Sequence, residues 1–163
     1  MTHKIVAVAK EHIPGVWKVL DGVAREQRYL AMLEAPPIEE TRKFVLGNIR
    51  AGRPQFVALV DDEVVGWCDV VPKDRPVMRH SGLLGMGIAA KFRGRGIGMP
   101  LLEATLGAAK EKGLTRIELL VRADNERAKR LYEKSGFVVE GLCRNHMLVA
   151  GRYEHSYLMA LLY

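Results

Sequence analysis

Three glycines within six residues, Arg93-Gly94-Arg95-Gly96-Ile97-Gly98, constrain this chain more than any other stretch. Upstream, Leu83-Leu84-Gly85-Met86-Gly87-Ile88-Ala89 reads as a buried strand, and downstream Leu101, Leu102, Thr105, Leu106, Ala108 and Ala109 recur at helical spacing. The order is strand, glycine turn, helix. With no side chains in the way, the backbone amides of such a turn approach a ligand closely, and the helix start adds unpaired N–H groups with partial positive charge. A turn of this kind binds phosphate, although the same run on its own would also serve as a tight connection. Its Gly-x-Gly-x-Gly spacing is neither the Walker pattern, which needs Gly-Lys-Ser/Thr, nor the dinucleotide fingerprint, which needs glycines at one-and-two spacing.

The remaining segments alternate between strand and helix patterns. Lys4 to Ala9 reads as a first strand, and Ile13, Val16, Val19, Leu20 and Val23 mark a helix that tolerates Pro14 in its first turn. Arg28 to Pro37, with its double proline, is an ordered loop before a second helix from about Ile38 to Ala51. Phe56 to Val60 and Val64 to Val71 form an antiparallel hairpin joined at Asp61-Asp62-Glu63, and Pro72 to Pro76 is an exposed loop. Beyond a helix that closes near Gly113, Ile117, Leu119 and Val121 alternate with Glu118, Leu120 and Arg122 in a half-buried strand. Asn125 caps the next helix, which carries Ala128, Leu131 and Tyr132 and ends at Gly136. Asn125 and Tyr132 are close to two full turns apart and share a face. Phe137 to Leu142 and Tyr153 to Leu162 complete the strands, with Cys143 to Arg152 between them as a loop.

Two of these segments carry a resemblance. Arg93, Gly96 and Gly98 match Arg/Gln-x-x-Gly-x-Gly/Ala, and Asn125-x-x-Ala128-x-x-Leu131-Tyr132-Glu133-Lys134-x-Gly136-Phe137 follows in the right order and at the right separation. Together they resemble the two halves of the signature of the GNAT superfamily of N-acetyltransferases, and the likeness extends weakly over nearly the whole chain. It implies a single N-acetyltransferase domain over residues 1–163. The implied fold is α/β, the GNAT fold, with a mixed, mostly antiparallel sheet of about seven strands flanked by about four helices. The implied cosubstrate is acetyl-CoA, with Arg93, Gly94, Arg95, Gly96, Ile97, Gly98 and Met99 around its pyrophosphate, Met86, Gly87 and Ile88 along its pantetheine, and Asn125 beside it. Tyr132 takes the place of the usual general acid. Tyr29, Met32 and the Cys143 to Arg152 loop fall where relatives wall the acceptor pocket; for Tyr29 and Met32, a role as core residues anchoring a loop stays equally open. The implied reaction transfers acetyl directly to a primary amine of a small molecule, an amino acid or amino-acid-like compound being preferred. The alternatives are a protein N-terminus or lysine as acceptor, or a CoA-binding regulatory module without catalysis.

Acyl transfer to an amine needs a neutral nitrogen, a donor for the thioester oxygen and a proton or hydrogen bond for the departing thiolate. A backbone N–H near Ile88 and the Tyr132 hydroxyl supply the last two. The base is missing. Relatives with a recognisable base commonly carry Glu on the fourth strand, but Ser81 to Ala89 contains no carboxylate. Asp69, His80 and Glu118 are substitutes, acting through a water, and each also has a structural reading.

Composition narrows the partners. The chain of 163 residues is one domain's worth, and 25 basic against 19 acidic residues give a net charge of +6. Arg122, Arg127, Lys129, Arg130 and Lys134 crowd one region with Arg93 and Arg95, without the interleaved aromatics of a single-strand nucleic-acid platform. A ligand with several phosphates suits that charge better than nucleic acid does. Cys68 and Cys143 form no Cys-x-x-Cys pair and the five histidines are scattered, so no metal is expected. No apolar run approaches the roughly 18 residues of a membrane span. Met1-Thr2-His3-Lys4 leads into the first strand without a signal-peptide core. The expectation is a cytoplasmic protein with a small-molecule amine as partner and neither nucleic acid nor membrane, with a homodimer left open.

Overall fold

The computed structural model describes residues 2–163; Met1, where the lead-in begins, lies outside them. Seven strands and four α-helices follow one another as β1 (Lys4–Ala7), α1 (Ile13–Arg25), α2 (Ile38–Ala51), β2 (Gln55–Val60), β3 (Glu63–Pro72), β4 (Ser81–Ile88), α3 (Gly98–Glu111), β5 (Arg116–Arg122), α4 (Glu126–Lys134), β6 (Val138–Val149) and β7 (Arg152–Leu162). The strands form one sheet in the order β1-β2-β3-β4-β5-β7-β6. Every neighbouring pair is antiparallel except β4 and β5, which run parallel. This is the mixed, mostly antiparallel sheet with four helices that the resemblance implies.

Each face of the sheet has its own core. On one side α3 and α4 cover the strands: Ile97, Leu101, Leu102, Leu106 and Ala109 meet Cys68 and Val70 of β3, Leu84 of β4, and Ile117, Leu119 and Val121 of β5. On the other side α1 and α2 bring Ile13, Val16, Val19, Val23 and Val45 against Val57 and Trp67. The alternation of β-strand side chains sorts the two sets. α1 buries its apolar positions at three- and four-residue spacing and holds Pro14 in its first turn, where a missing N–H costs no hydrogen bond. α4 is capped as its sequence requires, with Asn125 Oδ1 accepting from the Ala128 N–H at 3.2 Å. Gly136 closes it at φ +95° while Phe137 N–H returns to the Tyr132 carbonyl at 3.0 Å.

The C-terminal hairpin corrects one expectation. Cys143 to Arg152 is not a loop: β6 runs on to Val149, and the reversal is confined to Ala150 and Gly151, both at positive φ (49° and 75°). A register shift between Cys143 and Met147, with Asn145 at φ 51°, absorbs the polar residues that break the two-residue alternation. The Arg28 to Pro37 connection is a loop as expected. It is pinned by Trp17 Nε1 to the Pro36 carbonyl (2.8 Å), by the Ala35 N–H to Asp21 Oδ1 (3.0 Å) and by Arg25 with Glu34 (3.1 Å).

Candidate active site

The parallel pair β4 and β5 is where the sheet opens. Their pairing is limited to Ser81↔Arg116, Gly82↔Ile117 and Leu83↔Glu118, after which the strands part. Hydrogen bonds at both ends of β4 set the direction of its remaining amides: the Ser81 carbonyl accepts from Lys73, and the Ala89 N–H donates to Val65, both toward β3. Because successive peptide groups point to opposite edges, Met86 and Ile88 direct their N–H groups into the gap. On β5, the Ala123 N–H goes to His155 of β7, so by the same alternation Leu120 and Arg122 present theirs to the gap from the other side. The result is a wedge-shaped opening with strand-edge donors and acceptors on both walls. An extended ligand can enter it as a pseudo-strand.

At the wide end of the wedge lies the glycine turn. Gly94 and Gly96 adopt φ values of +71° and +77°, which side-chain-bearing residues rarely take. Among the described residues, the amides of Gly94, Gly96, Ile97, Gly98 and Met99 donate to no backbone carbonyl outside the helix, so they are available at the start of α3. Gly98 has a second role, since a Cβ there would stand 3.2 Å from Leu131 of α4. The helices approach each other across it. Arg93 turns away from the turn. Its Nη atoms bind both carboxylate oxygens of Glu26 at 2.8 and 2.6 Å, its Nε donates to the Ile88 carbonyl at 2.8 Å, and its guanidinium lies 4.7 Å from the centre of the Tyr29 ring. The Glu26 hydrogen bonds, acting against partial burial, push the Arg93 pKa upward.

Tyr132 stands on the α3/α4 side of the opening, 8% exposed, with its ring 5.7 Å from that of Phe137. Burial raises its pKa well above the usual phenol value, and the neighbouring Cys68 thiol adds to the rise. It is a donor at any working pH. Asn125, on the same helix, spends its side-chain oxygen on the cap.

The opposite, α1/α2 side of the opening is lined differently. Gly85 and Gly87 leave β4 bare there, and two β3 side chains lie over it. A Cβ at Gly87 would come within 2.3 Å of the Trp67 ring, and one at Gly85 would stand 3.6 Å from Asp69 Oδ1. Leu83 and Leu120, in the two central strands, remain 46% and 43% exposed because no helix covers them. Arg122 is 4% exposed and donates to the Leu30 carbonyl (3.2 Å) and to Met147 Sδ (3.1 Å), linking β5 to the α1–α2 loop and to β6. Among the described residues no carboxylate pairs with it. Glu118 is occupied by contrast: Lys73 and Arg116 both bind it, and although burial pulls its pKa upward their hydrogen bonds hold it below the ordinary carboxylate value.

The structure therefore brings together Met86, Ile88, the turn from Gly94 to Met99 and Tyr132, and divides the basic cluster that the sequence suggests. Arg93 is held by Glu26, Arg122 is sequestered on the α1/α2 face, and Lys129 pairs with Glu133 at 2.8 Å. Of the two loop candidates, Tyr29 packs against the α1/α2 core and Met32 is exposed. Sequence reasoning missed Leu83, Leu120, Trp67 and Arg122 as lining residues. The available signal was that β4 and β5 carry apolar side chains on both faces of a sheet centre. A cavity of about 360 Å³ lies elsewhere, lined by Arg53, Lys73, Arg79 and Lys112 at the opposite end of β4. Among the described residues no cluster of three or more His, Cys, Asp or Glu could hold a metal ion, and no helix is long and apolar enough to cross a membrane.

Comparison with known proteins agrees with this geometry. Residues 23–137 match the family model described as Acetyltransferase (GNAT) family. The L-amino acid N-acetyltransferase AaaT of Escherichia coli is 32% identical over 112 residues, which are 68% of this chain and 69% of that protein. An N-alpha-acetyltransferase of Sulfurisphaera tokodaii is 35% identical over 116 residues, covering 64% of this chain and just under two thirds, 66%, of the relative. The phosphinothricin acetyltransferase of Sinorhizobium meliloti, solved in complex with acetyl-CoA, superposes with a TM-score of 0.93 at 18% identity, over 99% of this chain and 89% of that one, and so shares the fold. With the glycine turn, the parted strands and the buried tyrosine all inside the matched region, the chain belongs to the GNAT family of acetyltransferases and is an acetyl-CoA-dependent N-acetyltransferase.

Proposed function

We propose that the chain, working as one domain, acetylates the primary amine of a small amino acid or amino-acid-like compound. In this reading the pantetheine of acetyl-CoA pairs with Met86 and Ile88 in the wedge, and its pyrophosphate lies on the amides of Gly94 to Met99 at the start of α3, where helix-terminal N–H groups favour an anion. Gly87 keeps that stretch of β4 slim, Arg95 and Asn125 flank the coenzyme, and Arg93 holds the turn in place through Glu26. A gap-facing amide of Met86 or Ile88 donates to the thioester oxygen as charge develops, and Tyr132 protonates the departing thiolate.

The observation that carries the acceptor class is Arg122. Bonded, among the described residues, only to a carbonyl and a thioether, its buried guanidinium is an uncompensated charge in a low-dielectric site, and a substrate carboxylate on the α1/α2 face satisfies it. The Escherichia coli relative, named as an L-amino acid N-acetyltransferase, supports the same class. The N-alpha-acetyltransferase relative keeps a peptide N-terminus as the second acceptor to test. The experiment is a screen for free-thiol release from acetyl-CoA with single L-amino acids, with the matching amines that lack the carboxylate, such as 2-phenylethylamine beside L-phenylalanine, and with a short unblocked peptide. Amino acids should exceed their decarboxylated partners by tenfold or more in kcat/KM, about 1.4 kcal/mol. Equal rates for both, or transfer to the peptide alone, refute the assignment.

A further inference from the structure

We propose that Asp69 is the general base that takes a proton from the acceptor ammonium, a role that rests on the acetyltransferase reading above. Its position carries the argument. Asp69 lies on β3 directly opposite Gly85, and its two carboxylate oxygens stand 3.6 and 4.0 Å from where a Cβ of Gly85 would be. The carboxylate thus covers β4 on the α1/α2 face, one residue from Met86, whose amide faces the gap. Tyr132 occupies the other face. A thioester held between the strands has an acid beneath it and a carboxylate above it, which is the arrangement direct transfer needs: the amine arrives from one side and the thiolate departs toward the other.

The other carboxylates near the opening are committed. Glu118 is bound by Lys73 and Arg116, Glu26 by Arg93, and Glu34 by Arg25. His80 precedes β4 at its paired end, beyond Ser81 and away from the parted region. Asp69 is 6% exposed, and among the described residues no cation of α1, α2, β2 or β4 pairs with it. The buried groups that β2, β4, α1 and α2 bring to its face are neutral. β2 offers Gln55 in register opposite, β4 offers Gly85 and Gly87, α2 buries Thr41, Val45 and Asn48, and α1 buries valines. Trp67 and Cys68 precede it on its own strand, and the buried Cys68 thiol is pushed far above its ordinary pKa. On β5 the charged residues sharing its face are Arg116 and Glu118, paired with each other, and Arg122. Burial in these surroundings, tempered by the Trp67 indole, raises the Asp69 pKa to about 7, where a carboxylate is a usable base near neutral pH.

The protons balance. An acceptor ammonium loses two on becoming an amide. The first passes to Asp69, freeing the nitrogen lone pair to attack the thioester carbon, and then leaves to solvent. As the C–S bond breaks, Tyr132 protonates the thiolate, and the second nitrogen proton restores the Tyr132 hydroxyl.

The test measures kcat/KM from pH 5.5 to 9.5 for the parent, Asp69→Asn and Asp69→Glu, using acetyl-CoA and the L-amino acid that the parent accepts best, beside the melting shift each protein shows with acetyl-CoA alone. The parent rate should rise with pH through about 7, because the base acts only when ionised. Asp69→Asn should lose about 10²–10³-fold and that limb with it, while its coenzyme-induced melting shift stays parental. Asp69→Glu should keep part of the activity with a displaced limb. An active parent whose Asn variant keeps the same rate and the same limb overturns the proposal and leaves the acetyltransferase reading intact. A parent that binds coenzyme but transfers to no amine overturns both. If Asp69→Asn does not fold, the Glu variant decides: an undisplaced limb in it overturns the proposal.

Discussion

Tyr132, the general acid of the proposed mechanism, is also a core residue. Its ring packs against Phe137 inside the α3/α4 core, and the burial that stabilises the ring also keeps the hydroxyl protonated. Removing the hydroxyl in Tyr132→Phe leaves that packing in place, so the melting temperature and the coenzyme KM should stay near parental values. Turnover should fall by about 10²-fold or more, the scale of a general acid's contribution. Parental kcat in that variant would place the acid elsewhere. Trp67 lies over β4 on the opposite face for a steric reason: its ring fills the space above Gly87, so that glycine is as necessary to the tryptophan as to any ligand.

At the scale of the element, the glycine turn works because its ends are fixed. α3 is anchored at Gly98 against Leu131, and the strand side is anchored by Arg93, which joins the end of β4 to Glu26 just past α1. A bidentate, partly buried pair of this kind lies between the exposed and buried limits of ion-pair strength. A double-mutant cycle of Arg93→Ala and Glu26→Ala should give a coupling free energy of about 1 kcal/mol in denaturant unfolding, and Arg93→Ala should also weaken acetyl-CoA binding by loosening the turn. No coupling, with parental coenzyme affinity in both single variants, would show that the turn holds its shape unaided.

For the whole molecule, the proposed coenzyme site makes the ligand a structural component. The wedge between β4 and β5 interrupts the hydrogen-bonding of the sheet at its centre, and a coenzyme paired there as proposed would restore it. Acetyl-CoA at 100 times its dissociation constant should therefore stabilise the fold by about 2.7 kcal/mol, raising the melting temperature by roughly 5–10 °C for a chain of this size. Because the chain carries +6, the effect should shrink as salt screens the coenzyme phosphates, and adenosine nucleotides lacking pantetheine should produce less of it. An unchanged melting curve in millimolar coenzyme would contradict the site as a whole.

Much of this was legible in the residues themselves, because short-range physics writes them there. Period-two and period-three-to-four apolar spacing marks the strands and helices, Asn125 and Gly136 mark the ends of α4, and three glycines mark the turn between β4 and α3 that is proposed to take the coenzyme's phosphates. What only the tertiary structure decided depends on residues far apart in the chain. The partner of Arg93 is Glu26, 67 residues away, and Arg122 meets Leu30 across 92. Whether Asp69 faces solvent, a cation or a bare stretch of β4 depends on the register of β3 against β4, a matter of which glycine lies opposite it. Likewise β6 continues through residues whose own pattern reads as a loop, because β7 supplies the hydrogen-bonding edge that their local sequence does not announce.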